Sequence, residues 1–276
     1  MAFLLAFLIS LASGAALSGG TGVQATTRPA VSPAPVLPPA FDAIVARAMK
    51  TFEVPGMGIA VVKDGQVVLA KGFGVRKLGE RTPVDARTLF GIASNTKAFT
   101  ATALGLLVEE GKIEWDGPVS RYLPWFQMWD PYVTREMTVR DLLVHRSGLG
   151  VGAGDLLIWP ETTYSRRDIV RRLRFVRPAA SFRSAYAYDN MLYLAAGEVI
   201  EAVSGKTWEE FISDRVLKKA GMTSSRPRHS ASIAGRNVAI PHAALEKGPT
   251  PVAVEENDHM NPAGGILSCA DDMARW

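Results

Sequence analysis

The sequence predicts an α+β domain: an antiparallel sheet flanked by helices, joined to an all-helical lobe. Three observations lead there. Two runs rich in branched side chains, Met57–Lys63 and Gln66–Phe73, flank Asp64-Gly65, a pair suited to a two-residue hairpin turn in which both positions take positive φ. Further along, apolar residues recur mostly at helical spacing. The order is strands first, then a helical block, with no clear return to strands.

Each element has its own warrant. The apolar run Ala2–Ala12 is as long as the core of an export signal and too short to span a bilayer comfortably. Val23-Gln24-Ala25 places small residues at a cleavage site, so residues 1–25 read as a signal peptide and the chain as exported, periplasmic or extracellular. No lysine or arginine precedes Arg28, which makes a retained N-terminal membrane anchor the alternative. Residues 26–40 hold five prolines and read as an extended linker to a domain spanning 41–276. Phe41, Ile44, Val45, Met49 and Phe52 predict an amphipathic helix over 41–52. Ala98–Gly111 predicts a second helix with glycine just past its end, and Leu192–Val203 a third, followed by Gly205. Thr207 and Glu210 form a capping-box pattern that opens a helix stopping near Gly221.

Ser165 and Asp168 repeat that capping pattern, and Ile169 with Leu173 forms an apolar stripe. The six arginines Arg166, Arg167, Arg171, Arg172, Arg174 and Arg177 therefore read as a solvated helix face rather than a dedicated anion site. Residues 226–276 offer few convincing strands, and Asp271–Trp276 resembles a first helical turn. An isolated hairpin is barely stable in water, so the sheet reads as unfinished, its late strands missing.

Composition narrows the function. With 47% hydrophobic and 21% charged residues, the chain has a globular balance that excludes extensive disorder. A net charge of +4 without a basic groove or aromatic platform gives no case for nucleic acid. The single cysteine, Cys269, excludes an intramolecular disulfide and sits among small residues as a buried hydrophobe would. Four scattered histidines (His145, His229, His242, His259) lack metal-ligand spacing, so neither metal nor cofactor is expected.

The chemistry concentrates in two short segments. In Ser94-Asn95-Thr96-Lys97, a helix would place serine and lysine on one face, where a lysine partly stripped of water could take the serine proton. Alone the pattern is cheap, and a capping serine with a surface lysine explains it better. Tyr188-Asp189-Asn190 is rarer. A tyrosine beside a cation can serve as a proton acceptor, and Asn190 can bond both a substrate carbonyl and Lys97. A buried tyrosine with a helix-capping asparagine is the bland counterpart.

The wider context resembles the β-lactamase and penicillin-binding-protein superfamily, specifically class C β-lactamases and their esterase and peptidase relatives. Leu89–Thr100 is similar to that family's SxxK segment and Leu142–Leu149 to its LLtHtSGL segment. Tyr188–Glu201 is similar to its Tyr-x-Asn helix, and Asn261–Ser268 to a further segment lining the site. The resemblance implies a β-lactamase/transpeptidase-like fold with Ser94 at the junction of sheet and helical lobe. It also implies an acyl-enzyme formed at Ser94 with an amide, ester or lactam carbonyl. Lys97 and Tyr188 would share the proton, Asn190 would position a small-molecule or peptide substrate, and no metal or cofactor would take part. His145 would be structural. Which of Lys97 and Tyr188 is the base stays open, since the pair would titrate together. The family's Lys-Thr-Gly or His-x-Gly triplet, which contributes an oxyanion donor, is not found, and the chain is expected to be a C-terminally incomplete domain. Two rivals remain: a penicillin-binding or sensing homologue without turnover, and an inactive fragment. Membrane or cell-wall proximity would follow from export, and nothing in the sequence bears on oligomeric state.

Overall fold

The computed structural model describes residues 37–159, 162–228, 237–246, 248–254 and 257–276. The expected signal peptide over 1–25, most of the linker over 26–40 and His229 lie outside the described residues.

The chain opens with helix α1 (Phe41–Thr51), followed by strands β1 (Gly56–Lys63) and β2 (Gln66–Gly74). These pair antiparallel from Gly56 opposite Gly74 to Lys63 opposite Gln66, with one irregularity at Val61/Val62. The turn is built as its residues require, with Asp64 at φ 52° and Gly65 at φ 73°. Gly72 allows the next segment to pass close by, because a Cβ there would fall 2.3 Å from the Val84 carbonyl oxygen.

Strand β3 (Phe90–Gly91) leads into a short 3-10 turn, Ala93–Asn95, and then helix α2 (Thr96–Glu109). Short helices α3 (Val119–Tyr122) and α4 (Pro131–Glu136) follow, then α5 (Arg166–Arg172), α6 (Met191–Ser204) and α7 (Trp208–Phe211). Both predicted capping boxes are present, Ser165 with Asp168 on α5 and Thr207 with Glu210 on α7. Gly205 ends α6 at φ 69°. The helix expected from Thr207 to Gly221 is instead α for one turn and then π-helical over Ile212–Leu217. Of the six arginines assigned to a solvated face, Arg166 is not on it. Its guanidinium is mostly buried and bonded to Glu201 and Glu209.

The expectation of few strands after residue 226 needs correction. Strands β4 (His242–Leu245) and β5 (Gly248–Pro251) pair antiparallel, and β6 (Leu267–Ser268) pairs with β3. Pro249 and Pro251 hid the hairpin from a propensity reading. Proline lacks a donor but is tolerated on an edge strand, and a two-residue ladder such as β6 has no periodicity to detect. The α+β architecture stands, its sheet component taking the form of three two-stranded antiparallel ladders among the described residues. Helices α8 (Asn261–Gly264) and α9 (Ala270–Met273) flank β6, the latter lying against β1 and β2.

One core fills the helical lobe, with Phe99, Leu104 and Leu107 of α2, Leu194 and Ile200 of α6, and Trp208 and Phe211 of α7 wholly or almost wholly buried. Cys269 is buried, as expected for a small hydrophobe. Buried polar contacts fix α2 against the later chain. The Trp208 indole N–H donates to Thr100 Oγ1 at 3.0 Å, and the Thr100 hydroxyl donates to the Pro262 carbonyl at 2.7 Å. No described helix is long and apolar enough to cross a membrane.

Candidate active site

Three strand and helix junctions converge on Ser94. The β3–β6 ladder and the Ile92 N–H bond to the Ile266 carbonyl hold the serine turn beside residues 261–266. Ala93 takes φ 45° to bend the chain from strand to helix, so Ser94 sits exposed on the turn that opens α2. Lys97, one turn later, faces the same way but is buried. The helix from Met191 brings in the rest, since Asn190 is its N-cap and Tyr188 ends the loop before it.

These four residues meet as the sequence anticipated. Tyr188 donates its phenolic proton to Ser94 Oγ at 2.5 Å, and Lys97 Nζ donates to the same oxygen at 3.1 Å. Lys97 also donates to Asn190 Oδ1 at 2.9 Å and to the Ala263 carbonyl at 2.9 Å. The three lysine donors are thus fully used, on a serine, an amide and a backbone carbonyl, with no carboxylate in direct contact. Burial lowers the Lys97 ammonium from its ordinary value to about 8, and the negative charges of Asp189 and Asp155 limit the drop. Burial moves Tyr188 the other way, raising its phenol further from ionisation, while the bond to Ser94 opposes the shift.

Several participants escaped the sequence reading. The Ala263 carbonyl is a backbone atom, and no residue identity announces it. Two residues on, Gly265 packs against Asn261, where a Cβ would fall 2.0 Å from Asn261 Oδ1 and 2.6 Å from Asn261 Cα. Asp155 accepts from the Asn190 amide at 3.5 Å, bringing the 150–159 loop to the site. Asp189 is 1% exposed, accepts from the Leu192 N–H at 3.0 Å and from the Ser147 hydroxyl at 3.4 Å, and burial pushes its carboxyl up to about 6. The central position of Tyr-Asp-Asn carried no signal of its own, although a carboxylate one residue from an N-cap is a capping pattern.

His145 makes no hydrogen bond to Ser94. Its ring lies 4.5 Å from that of Tyr188 and 5.6 Å from that of Tyr193, and its Nδ1 accepts from the Asp189 N–H at 3.2 Å. A nitrogen that accepts carries no proton, so the tautomer has its hydrogen on Nε2. Burial and the nearby Lys97 charge push its pKa down and keep it neutral. The Leu142–Leu149 segment thus braces the tyrosine loop: the Ala187 N–H bonds the His145 carbonyl, and the Arg183 N–H bonds that of Arg146.

The arrangement provides an exposed hydroxyl gripped by a phenol and a poorly solvated amine, with an amide aimed at the same space. Comparison with known proteins places the chain in a family. The family model "Beta-lactamase" matches residues 41–276. Unguisins hydrolase ungD of Aspergillus violaceofuscus is 30% identical over 250 residues, covering 86% of this chain and 44% of the relative. Protein flp of Staphylococcus aureus is 26% identical over 244 residues, covering 86% and 47%. The octameric penicillin-binding protein homologue from Pyrococcus abyssi superposes with a TM-score of 0.70 at 29% identity, covering 85% of this chain and 54% of that one. A class C β-lactamase does so with a TM-score of 0.71 at 25% identity, covering 85% and 61%. The chain spans a little under half the length of these curated relatives.

Proposed function

Because the chain belongs to the Beta-lactamase family, we propose that it carries the nucleophilic centre of a serine hydrolase acting through an acyl-enzyme at Ser94. The observation that supports this most is the sharing of Ser94 Oγ between Tyr188 and Lys97. Neither contact serves a fold that merely needs a cap, and both would be wasteful for an inert exposed serine.

The reaction runs in two halves. Lys97 in its neutral form accepts the Ser94 proton as Oγ attacks a carbonyl carbon. The developing oxyanion faces the Ser94 N–H, at the positive end of α2. Tyr188, kept protonated by burial, gives its proton to the departing amine or alcohol and is recharged from Lys97. Water then attacks the Ser94 ester, surrenders a proton along the same path, and releases the acid. Asn190, held by Lys97 on one side and Asp155 on the other, offers its amide N–H to the substrate carbonyl side chain. Substrates are amides, esters or lactams with a carbonyl reachable from an exposed turn.

The test is intact-protein mass after exposure to a fluorophosphonate at neutral pH, beside Ser94→Ala. One adduct on the parent and none on the mutant is the expected result, with labelling slowed at least about 100-fold in Lys97→Met, as for loss of a general base. An adduct that persists in Ser94→Ala, or no adduct on the parent, overturns the reading.

A further inference from the structure

Four of the sequence's clustered arginines occupy a surface with a chemistry of its own. Arg171 lies 5.2 Å above the Trp125 ring and Arg172 3.8 Å above Tyr164. Arg174 lies 5.0 Å above Phe175, and Arg177 5.0 Å above Trp129. None of the four makes an ion pair with a carboxylate among the described residues; their hydrogen bonds are to the Asp168 carbonyl from Arg172 and to Gln127 from Arg174. Arg167 joins the stack on Trp125 but is committed to Glu198. The patch is continuous, because residues 125–129 run beside the 167–177 segment and supply two of its rings.

Arg171, Arg172, Arg174, Phe175 and Leu157 line one groove, with Asp168 the acidic group in it. Asp168 is occupied in capping Ser165 and answers at most one of the four charges. Phe175 stands out from this face at 67% exposure, and Trp129 and Tyr164 are also exposed. A guanidinium stacked on a ring has one face covered while its N–H edge stays open to phosphate oxygens. Rings, protruding apolar side chains and unpaired arginines on one open face suit a boundary that is anionic outside and apolar beneath.

We propose that this face docks the domain on an anionic phospholipid bilayer. Arg171, Arg172, Arg174 and Arg177 meet headgroup phosphates, and Phe175 enters the acyl boundary with the exposed rings of Trp129 and Tyr164 at the interface. The face is also coupled to the site: Leu157 lines the groove while Asp155, on the same 3-10 turn, bonds Asn190. Docking would therefore hold the Ser94 cleft close to the bilayer surface.

The test is co-sedimentation of the full chain with phosphatidylcholine vesicles, with and without phosphatidylglycerol, and needs no catalysis. The parent is expected to sediment with the anionic vesicles and to be released by high salt. Removing four basic side chains, at roughly five-fold each near an anionic surface, should weaken binding more than about 100-fold in Arg171→Gln/Arg172→Gln/Arg174→Gln/Arg177→Gln. A variant with the same charge loss on other exposed positions, Arg47→Gln/Lys50→Gln/Lys63→Gln/Lys219→Gln, should keep most of it. Equal loss in both variants would reduce the effect to net charge and overturn the proposal. So would undiminished binding in the first variant, equal binding to neutral vesicles, or binding to soluble polyphosphate alone. Failure here leaves Ser94 labelling untouched, so the two readings fail separately.

Discussion

At the scale of single residues, opposite pKa displacements divide the labour at Ser94. A buried amine loses its proton early and a buried phenol late, so above about 8 the lysine is mostly a neutral amine while burial keeps the Tyr188 phenol protonated. Fluorophosphonate labelling of Ser94 should accordingly rise with pH, with a midpoint near the Lys97 value of about 8, and then level off. Asp189 is ionised in that range and raises Lys97, so Asp189→Asn should move the midpoint to lower pH while sparing the Leu192 cap bond. A midpoint that stays put would remove Asp189 from the electrostatics of the site. Gly265→Ala should slow labelling without touching Ser94, Lys97, Tyr188 or Asn190. Its methyl has no room beside Asn261, so the 261–265 turn that carries the Ala263 carbonyl bonded to Lys97 should shift.

At the scale of elements, legibility followed the density of local signals. The Asp-Gly turn, the Ser165 and Thr207 capping boxes and the terminating glycine of α6 each act within four residues, and each was found where the sequence placed it. That Ser94, Lys97, Tyr188 and Asn190 come together was legible because they sit in short motifs shared with a known family. The β4–β5 hairpin, the π-helical turn and the Ala263 carbonyl were not, because tertiary packing decides them and their residues read as loop or helix. Arg166 was misplaced for a related reason: a charge in a basic run looks solvated until its partners, Glu201 and Glu209, arrive from other helices. Thr207→Ala should destabilise the chain by about 1 kcal/mol in chemical denaturation, the usual value of an N-cap. A change near zero would mean that packing of Trp208 alone fixes α7.

At the scale of the whole molecule, the site belongs to no single stretch of chain. Lys97 bonds partners 93 and 166 residues further on, and Thr100 reaches 162 residues to Pro262. Ser94 labelling and tryptophan fluorescence should therefore be lost in the same denaturant transition, since no local substructure can hold the lysine in place. Labelling that survives past the fluorescence midpoint would argue for an independently formed α2–α6 unit. The same wiring sets a schedule for synthesis. Ser94, Tyr188 and Asn190 leave the ribosome long before Ala263 does, and until then one of the three acceptors that hold Lys97 has not been made. On the function proposed for Ser94, a nascent chain would therefore carry its serine unarmed, and any hydrolytic competence would arrive as a late event of folding.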